Sequence, residues 1–208
     1  VCSSDLLSVW EHADVTDGVL LTGSRSVGNA SENSDIDLQI LIRDNTLRER
    51  GNQYVDGMLI EYFANPSERI CGYLREEALQ FNRSTIRMFA TGTIVQDASG
   101  MLSKAQALAG ELLRSPFAKM SETELSAAKY SIWDCRDDLC ALLASDDASF
   151  PYVYYLNLNR ILSLYSRYRG FELTSPSKQF AQMTDAVFRA NYRIGEYPDP
   201  VFSELFQA

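Results

Sequence analysis

The chain has 208 residues, 46% of them hydrophobic, enough to bury one large or two small cores. Its formal charge of −9 is uneven: residues 1–100 carry 8 Lys+Arg, none of them Lys, against 15 Asp+Glu, whereas residues 101–208 carry 11 against 13. An acidic first half is a poor surface for long DNA or RNA, and no apolar run of about twenty residues or basic-then-apolar leader marks a membrane span or signal peptide.

In chain order, Val1–Leu6 resembles a translated sequencing adapter and carries no weight, while Leu6–Trp10 reads as an amphipathic helix. Val19-Leu20-Leu21 is a strand ending at Gly23-Ser24, where a missing side chain and a small hydroxyl leave the backbone open to an anion. Asp35-Ile36-Asp37 begins an Ile/Leu-rich alternating segment, so a strand there projects both carboxylates from one face. Gly57–Phe63 is a second apolar strand interrupted by one charge, Glu61; Asp56, in the turn signal Asp56-Gly57, is the fallback acid.

Pro66 is expected to open a helix, Thr93–Asp97 to form a last short strand, and Ala98-Ser99-Gly100 to punctuate the chain. Beyond it Leu125, Ala128, Ile132, Cys135, Leu139 and Leu142 recur at helical spacing. A second helix runs from Pro151 to Tyr168 with a Gly170 stop, and a third from Ser175-Pro176 to about Ala190. From Asn191 the tail is expected to be irregular before a short helix near Phe202–Phe206.

Two carboxylates on one strand face, a third on a nearby strand and a small-residue turn before them are the equipment for metal-assisted phosphoryl chemistry. Asp35, Asp37 and Glu61 supply hard oxygen ligands for magnesium, two ions being the useful number, and Gly23, Ser24, Arg25 and Ser26 offer the phosphate cradle. Asp134 and Asp138, four apart on the first long helix, are candidate acceptor ligands or a general base. Tyr152, Tyr154 and Tyr155 are candidate stacking residues. Cys2, Cys71, Cys135 and Cys140 lack paired spacing and His12 is the lone histidine, which speaks against zinc and fits a reducing cytoplasm.

Gly23-Ser24, Asp35-Ile36-Asp37 and Glu61 together resemble the nucleotidyltransferase superfamily typified by DNA polymerase beta. The layout is most similar to the small bacterial enzymes that adenylylate aminoglycosides or lincosamides. The resemblance covers about residues 17–64 in motif and the rest in architecture. It implies an α+β fold, with a small mixed-sheet catalytic domain over 1–100 and a helical bundle over 101–208 shaping the acceptor pocket.

It further implies magnesium-dependent transfer of a nucleoside monophosphate, AMP from ATP foremost, to a hydroxyl of a small acceptor, hence a role in antibiotic resistance. Lys178, at the start of a bundle helix, would then reach a phosphate. The acidic first half suits a cationic acceptor. Adenylylation of a partner protein, as in toxin–antitoxin pairs, and a catalytically silent nucleotide-binding module are the alternatives; a homodimer is left open.

Overall fold

A computed structural model describes residues 10–207. The helix expected over Leu6–Trp10 falls outside these residues except for Trp10, which precedes a 3-10 turn at Ala13–Val15. The fold is α+β: five strands form one mixed sheet, and the other elements are helices.

The strands are β1 (Thr16–Thr22), β2 (Ile36–Ile42), β3 (Glu49–Val55), β4 (Met58–Pro66) and β5 (Thr93–Asp97), in the order β3-β4-β2-β1-β5. β1 runs antiparallel to β2 and β5, and β3 antiparallel to β4. β2 and β4 are parallel, with Asp37 opposite Glu61 and Gln39 opposite Phe63. β3 was not foreseen, because Glu-Arg-Gly-Asn-Gln-Tyr-Val has no apolar alternation; as an edge strand it buries little. The Asp56-Gly57 turn joins β3 to β4 where expected.

Alternation sorts the side chains into two layers. Val19, Ile36, Leu38, Ile40, Ile42, Ile60 and Ala64 form one buried cluster, against which Trp10 and Tyr62 pack. The opposite face carries Leu20 and Leu41, buried with α2 (Ile70–Ala78), α3 (Ser84–Thr91) and α4 (Met101–Arg114). Phe89, Ile86, Leu74 and Leu102 are fully enclosed there. Each stabilises by roughly 1.5–3 kcal/mol relative to exposure. Asp97 starts α4 by accepting from the Leu102 and Ser103 amides at 3.0 and 2.9 Å.

Pro66 does not open a helix. It is the last residue of β4, opposite Ile42, and the helix begins only at Ile70. Ser67 instead donates its amide to the Ile42 carbonyl at 2.9 Å, which carries the chain out of the sheet.

The chain divides into two compact units, the first running to Ser115 with Phe180–Glu196, the second made of Pro116–Gln179 and the stretch from Tyr197. This division differs from a boundary at residue 100: α4 closes the core of the sheet unit, and Phe180–Glu196 returns to it. There Arg87 donates to the Tyr192 carbonyl at 2.8 Å, and Asn191 to the Asn29 side chain at 2.7 Å.

The second unit is helical, with α5 (Glu122–Ala144) packed on α6 (Phe150–Arg169). α5 begins with a Ser121–Glu124 capping box, and α6 ends at Gly170 as expected. Cys135 and Ala128 are the buried part of the foreseen stripe. The third expected helix is broken: α7 (Pro176–Thr184) stops before Asp185, whose extended backbone and carboxylate cap α8 (Ala186–Asn191) through the Val187 and Phe188 amides. α9 (Pro200–Gln207) forms the last helix; in the same unit Phe202 packs against Tyr165 and Tyr197. No helix among the described residues is long and apolar enough to cross a membrane.

Candidate functional site

β1 delivers Gly23 and Ser24 into the short helix α1 (Gly23–Ser26). Thr22 pairs with Asp37 across the β1–β2 ladder and donates its hydroxyl to the Asp37 carbonyl at 3.3 Å. Gly23 has φ +68, and a Cβ built there would lie 1.8 Å from the Asp37 carboxylate oxygen. A side chain at this position is excluded twice over, by backbone conformation and by Asp37 itself.

Asp35, Asp37 and Glu61 are half-buried and come together, with one oxygen from each lying within 4.8 Å of the others. The parallel register explains it. Asp37 and Glu61 are direct partners on adjacent strands, and Asp35 precedes Asp37 by two on the same face.

The donors are all carboxylate oxygens, the set that suits magnesium, whose oxygen bonds of about 2.0–2.1 Å let one or two ions span such a cluster. Three carboxylates this close repel one another, and a divalent ion relieves that repulsion.

Arg25 holds Asp35 in place. Its Nε donates to the carbonyls of Ser34 at 3.1 Å and Asp35 at 3.0 Å, and a terminal nitrogen donates to Ser34 at 2.5 Å. Ser26 donates its hydroxyl to the Gly23 carbonyl at 3.0 Å, bracing the turn. Tyr192, from the returning segment, is a neighbour that sequence reasoning missed: burial, and then the Asp37 charge, push its hydroxyl upward from the usual tyrosine range. Only an aromatic residue after α8 signalled it, which is too weak to place a residue in a site 155 positions away.

The remaining candidates lie on other elements. Asp134, half-buried, and Asp138, exposed, lie on α5, and Lys178 is exposed at the start of α7; all three belong to the second unit. Tyr152, Tyr154 and Tyr155 are exposed on α6, in that same unit. Asp56 sits in the β3–β4 turn, outside the carboxylate group.

On the helix-covered face a cavity of about 790 Å³ opens between β2–β4–β3 and the α2–α3 helices. Gln39, two residues beyond Asp37, and Phe63, two beyond Glu61, form part of its wall. Gln39 is another residue missed from sequence; a lone amide in Leu38-Gln39-Ile40-Leu41 was its signal.

No family model matches the chain, and no curated protein matches it. Among solved structures it is similar to a nucleotidyltransferase-like protein from Exiguobacterium sibiricum 255-15, with a TM-score of 0.44 and 14% sequence identity. The match covers 98% of this chain and 63% of that one, so this chain spans less than two thirds of the length of its neighbour.

Proposed function

We propose that the protein is a magnesium-dependent nucleotidyltransferase that moves a nucleoside monophosphate, AMP from ATP foremost, to a hydroxyl of a small-molecule acceptor such as an aminoglycoside or lincosamide. One observation carries the reading: three carboxylates within 4.8 Å of one another, with a left-handed Gly23 pressed against Asp37. A purely structural acidic cluster has no use for a glycine that exposes a carboxylate to an approaching phosphate. The −7 charge of the first hundred residues further supports a small, cationic acceptor over a polyanion.

Asp35, Asp37 and Glu61 would hold the metal, and Gly23 and Ser24 would receive the triphosphate, with Ser26 and Arg25 keeping the turn and Asp35 in register. The metal, when bound, neutralises phosphate charge and lowers the pKa of an acceptor hydroxyl. The acceptor oxygen forms a bond to the α-phosphorus as the α–β bridging bond breaks. Pyrophosphate leaves with the electron pair, and the hydroxyl proton passes to a base or to water. The protein's contribution is positioning and charge placement. Asp134, Asp138 and Lys178 remain proposals for acceptor and phosphate contacts from the second unit.

The test incubates the protein with magnesium, each nucleoside triphosphate and a panel of aminoglycosides and lincosamides, following pyrophosphate and product mass. An acceptor heavier by one nucleoside monophosphate is the expected result. Nucleotide binding without pyrophosphate release under any acceptor would count for the silent module instead.

A further inference from the structure

We infer that Asn191 is a positioning residue for the nucleotide: by latching Asn29, it holds the Gly23–Ser26 turn in the shape that would receive the triphosphate. The inference rests on the nucleotidyltransferase reading. It goes beyond that reading by giving the returning segment, Phe180–Glu196, a part in nucleotide binding.

α1 has four residues, and a single helical turn is not stable by itself. Two bonds close it from within. Ser26 donates its hydroxyl to the Gly23 carbonyl, and the Asn29 amide donates back to the Ser24 carbonyl at 2.9 Å. The second is the six-to-one bond of a Schellman ending, with Gly28 as its left-handed residue at φ +77. Two side chains then anchor the turn to the rest of the unit, one at each end of the loop. Arg25 grips the Ser34 and Asp35 carbonyls, where β2 begins. Asn191 donates its Nδ2 to the Asn29 Oδ1 at 2.7 Å, across 162 positions of sequence. Both asparagines are half-buried, so water competes less for that bond than it would at the surface.

A latch is useful only if its far end is fixed, and Asn191 is the last residue of a helix clipped at both ends. At the start of α8 the Asp185 carboxylate accepts from the Val187 and Phe188 amides at 2.8 and 3.1 Å. Just past its end, Arg87 of α3 donates to the Tyr192 and Arg193 carbonyls at 2.8 and 3.3 Å, a cation where the helix dipole favours one. Between the clips Phe188 and Tyr192 are buried, their rings 4.6 Å apart. The metal ligands are set differently, by the parallel register that puts Asp37 opposite Glu61. A latch on Asn29 acts on the turn, one step removed from that register, so its effect falls on the nucleotide and not on the metal.

The experiment compares full-length wild type, Asn191→Leu, Asn29→Leu and the double variant by calorimetry. Leucine nearly matches asparagine in size and can neither donate nor accept. The ligands are magnesium alone, and non-hydrolysable analogues of ATP, GTP, CTP and UTP in saturating magnesium. Thermal melts confirm folding, and Asn191→Ser, which truncates the donor, stands in for a leucine variant that fails to fold. Each single variant is expected to weaken the best-bound analogue about three- to tenfold, the worth of one hydrogen bond, with magnesium affinity within about twofold of wild type. The double variant should lose no more than the worse single, because both remove the same bond. Losses that multiply in the double variant, or that fall equally on magnesium and nucleotide, would overturn the latch. Analogue affinity within about twofold of wild type in both singles would overturn it too, while leaving the nucleotidyltransferase reading in place. A wild type that binds none of the four analogues would strike that reading itself, and the inference with it.

Discussion

Gly23→Ala separates the chemistry of the site from the stability of the fold. At φ +68 an alanine costs about 1–2 kcal/mol in backbone strain. Its Cβ would start 1.8 Å from the Asp37 oxygen, and real Cβ contacts stay beyond 3.0 Å. The carboxylate must therefore retreat by more than 1 Å, at about 0.5–1.5 kcal/mol for an off-rotamer position. The total of about 2 kcal/mol lowers Tm by roughly 4–8 °C for a chain of this size. A misplacement of about 1 Å at a metal ligand also costs about 100-fold in rate. Gly28→Ala is the control: φ is +77, but nothing lies within 4 Å of the added carbon, so it carries the backbone cost alone. The assay is metal-dependent pyrophosphate release beside a thermal melt. A Gly23→Ala protein working within twofold of wild type, or one no worse than Gly28→Ala, would refute the account of Gly23 as the opening to Asp37.

Asp37→Asn should keep the melting temperature within a few degrees and reduce pyrophosphate release at least 1,000-fold; activity within tenfold would remove Asp37 from the metal set. Arg25→Lys loses the fork that grips the Ser34 and Asp35 carbonyls, and loss of one charged hydrogen bond at about 1.5 kcal/mol should weaken magnesium binding roughly tenfold by calorimetry. At Asp97, burial works to raise the carboxyl, but bonds from the Ser103 hydroxyl and amide and the Leu102 amide outweigh it and hold it below the usual range. Its contribution is thus present above about pH 4 and is lost as pH falls through the lowered value, so Asp97→Asn should cost about 1 kcal/mol at pH 7 and flatten the acid limb of a stability profile. Tyr62 donates to Glu49 at 2.5 Å, and that bond, with burial and the Glu49 charge, pushes its hydroxyl up to about 12. The stabilisation is complete below about pH 10 and disappears as pH rises through about 12; ultraviolet titration should lose one of its late-titrating tyrosines in Glu49→Gln, as Tyr62 returns toward 10.

The site was legible where chemistry is local. Gly23-Ser24 and Asp35-Ile36-Asp37 are fixed by strand periodicity within a few residues, and Glu61 stood out because a lone charge in an apolar strand needs a reason. Pairing was not legible: nothing in the residues says that β2 and β4 run parallel with Asp37 opposite Glu61, since register depends on contacts between distant segments. β3 hid because an exposed edge strand carries no apolar alternation. Pro66 misled because the same missing N–H that suits a first helical turn also suits the end of a strand. Asp185 broke a continuous helical pattern by capping, a local competition that periodicity does not weigh.

The return of Phe180–Glu196 to the sheet unit fixes an order of events during synthesis. A ribosome releases the β1–β5 sheet, its three carboxylates and the covering helices well before it reaches Tyr192. The nascent sheet unit therefore waits, with Asp37 lacking its aromatic neighbour, until more than sixty intervening residues of the helical unit have been made. A chain terminated after Ser115 ends with that neighbour unmade, so the acidic pocket matures only after the intervening helical stretch has been made.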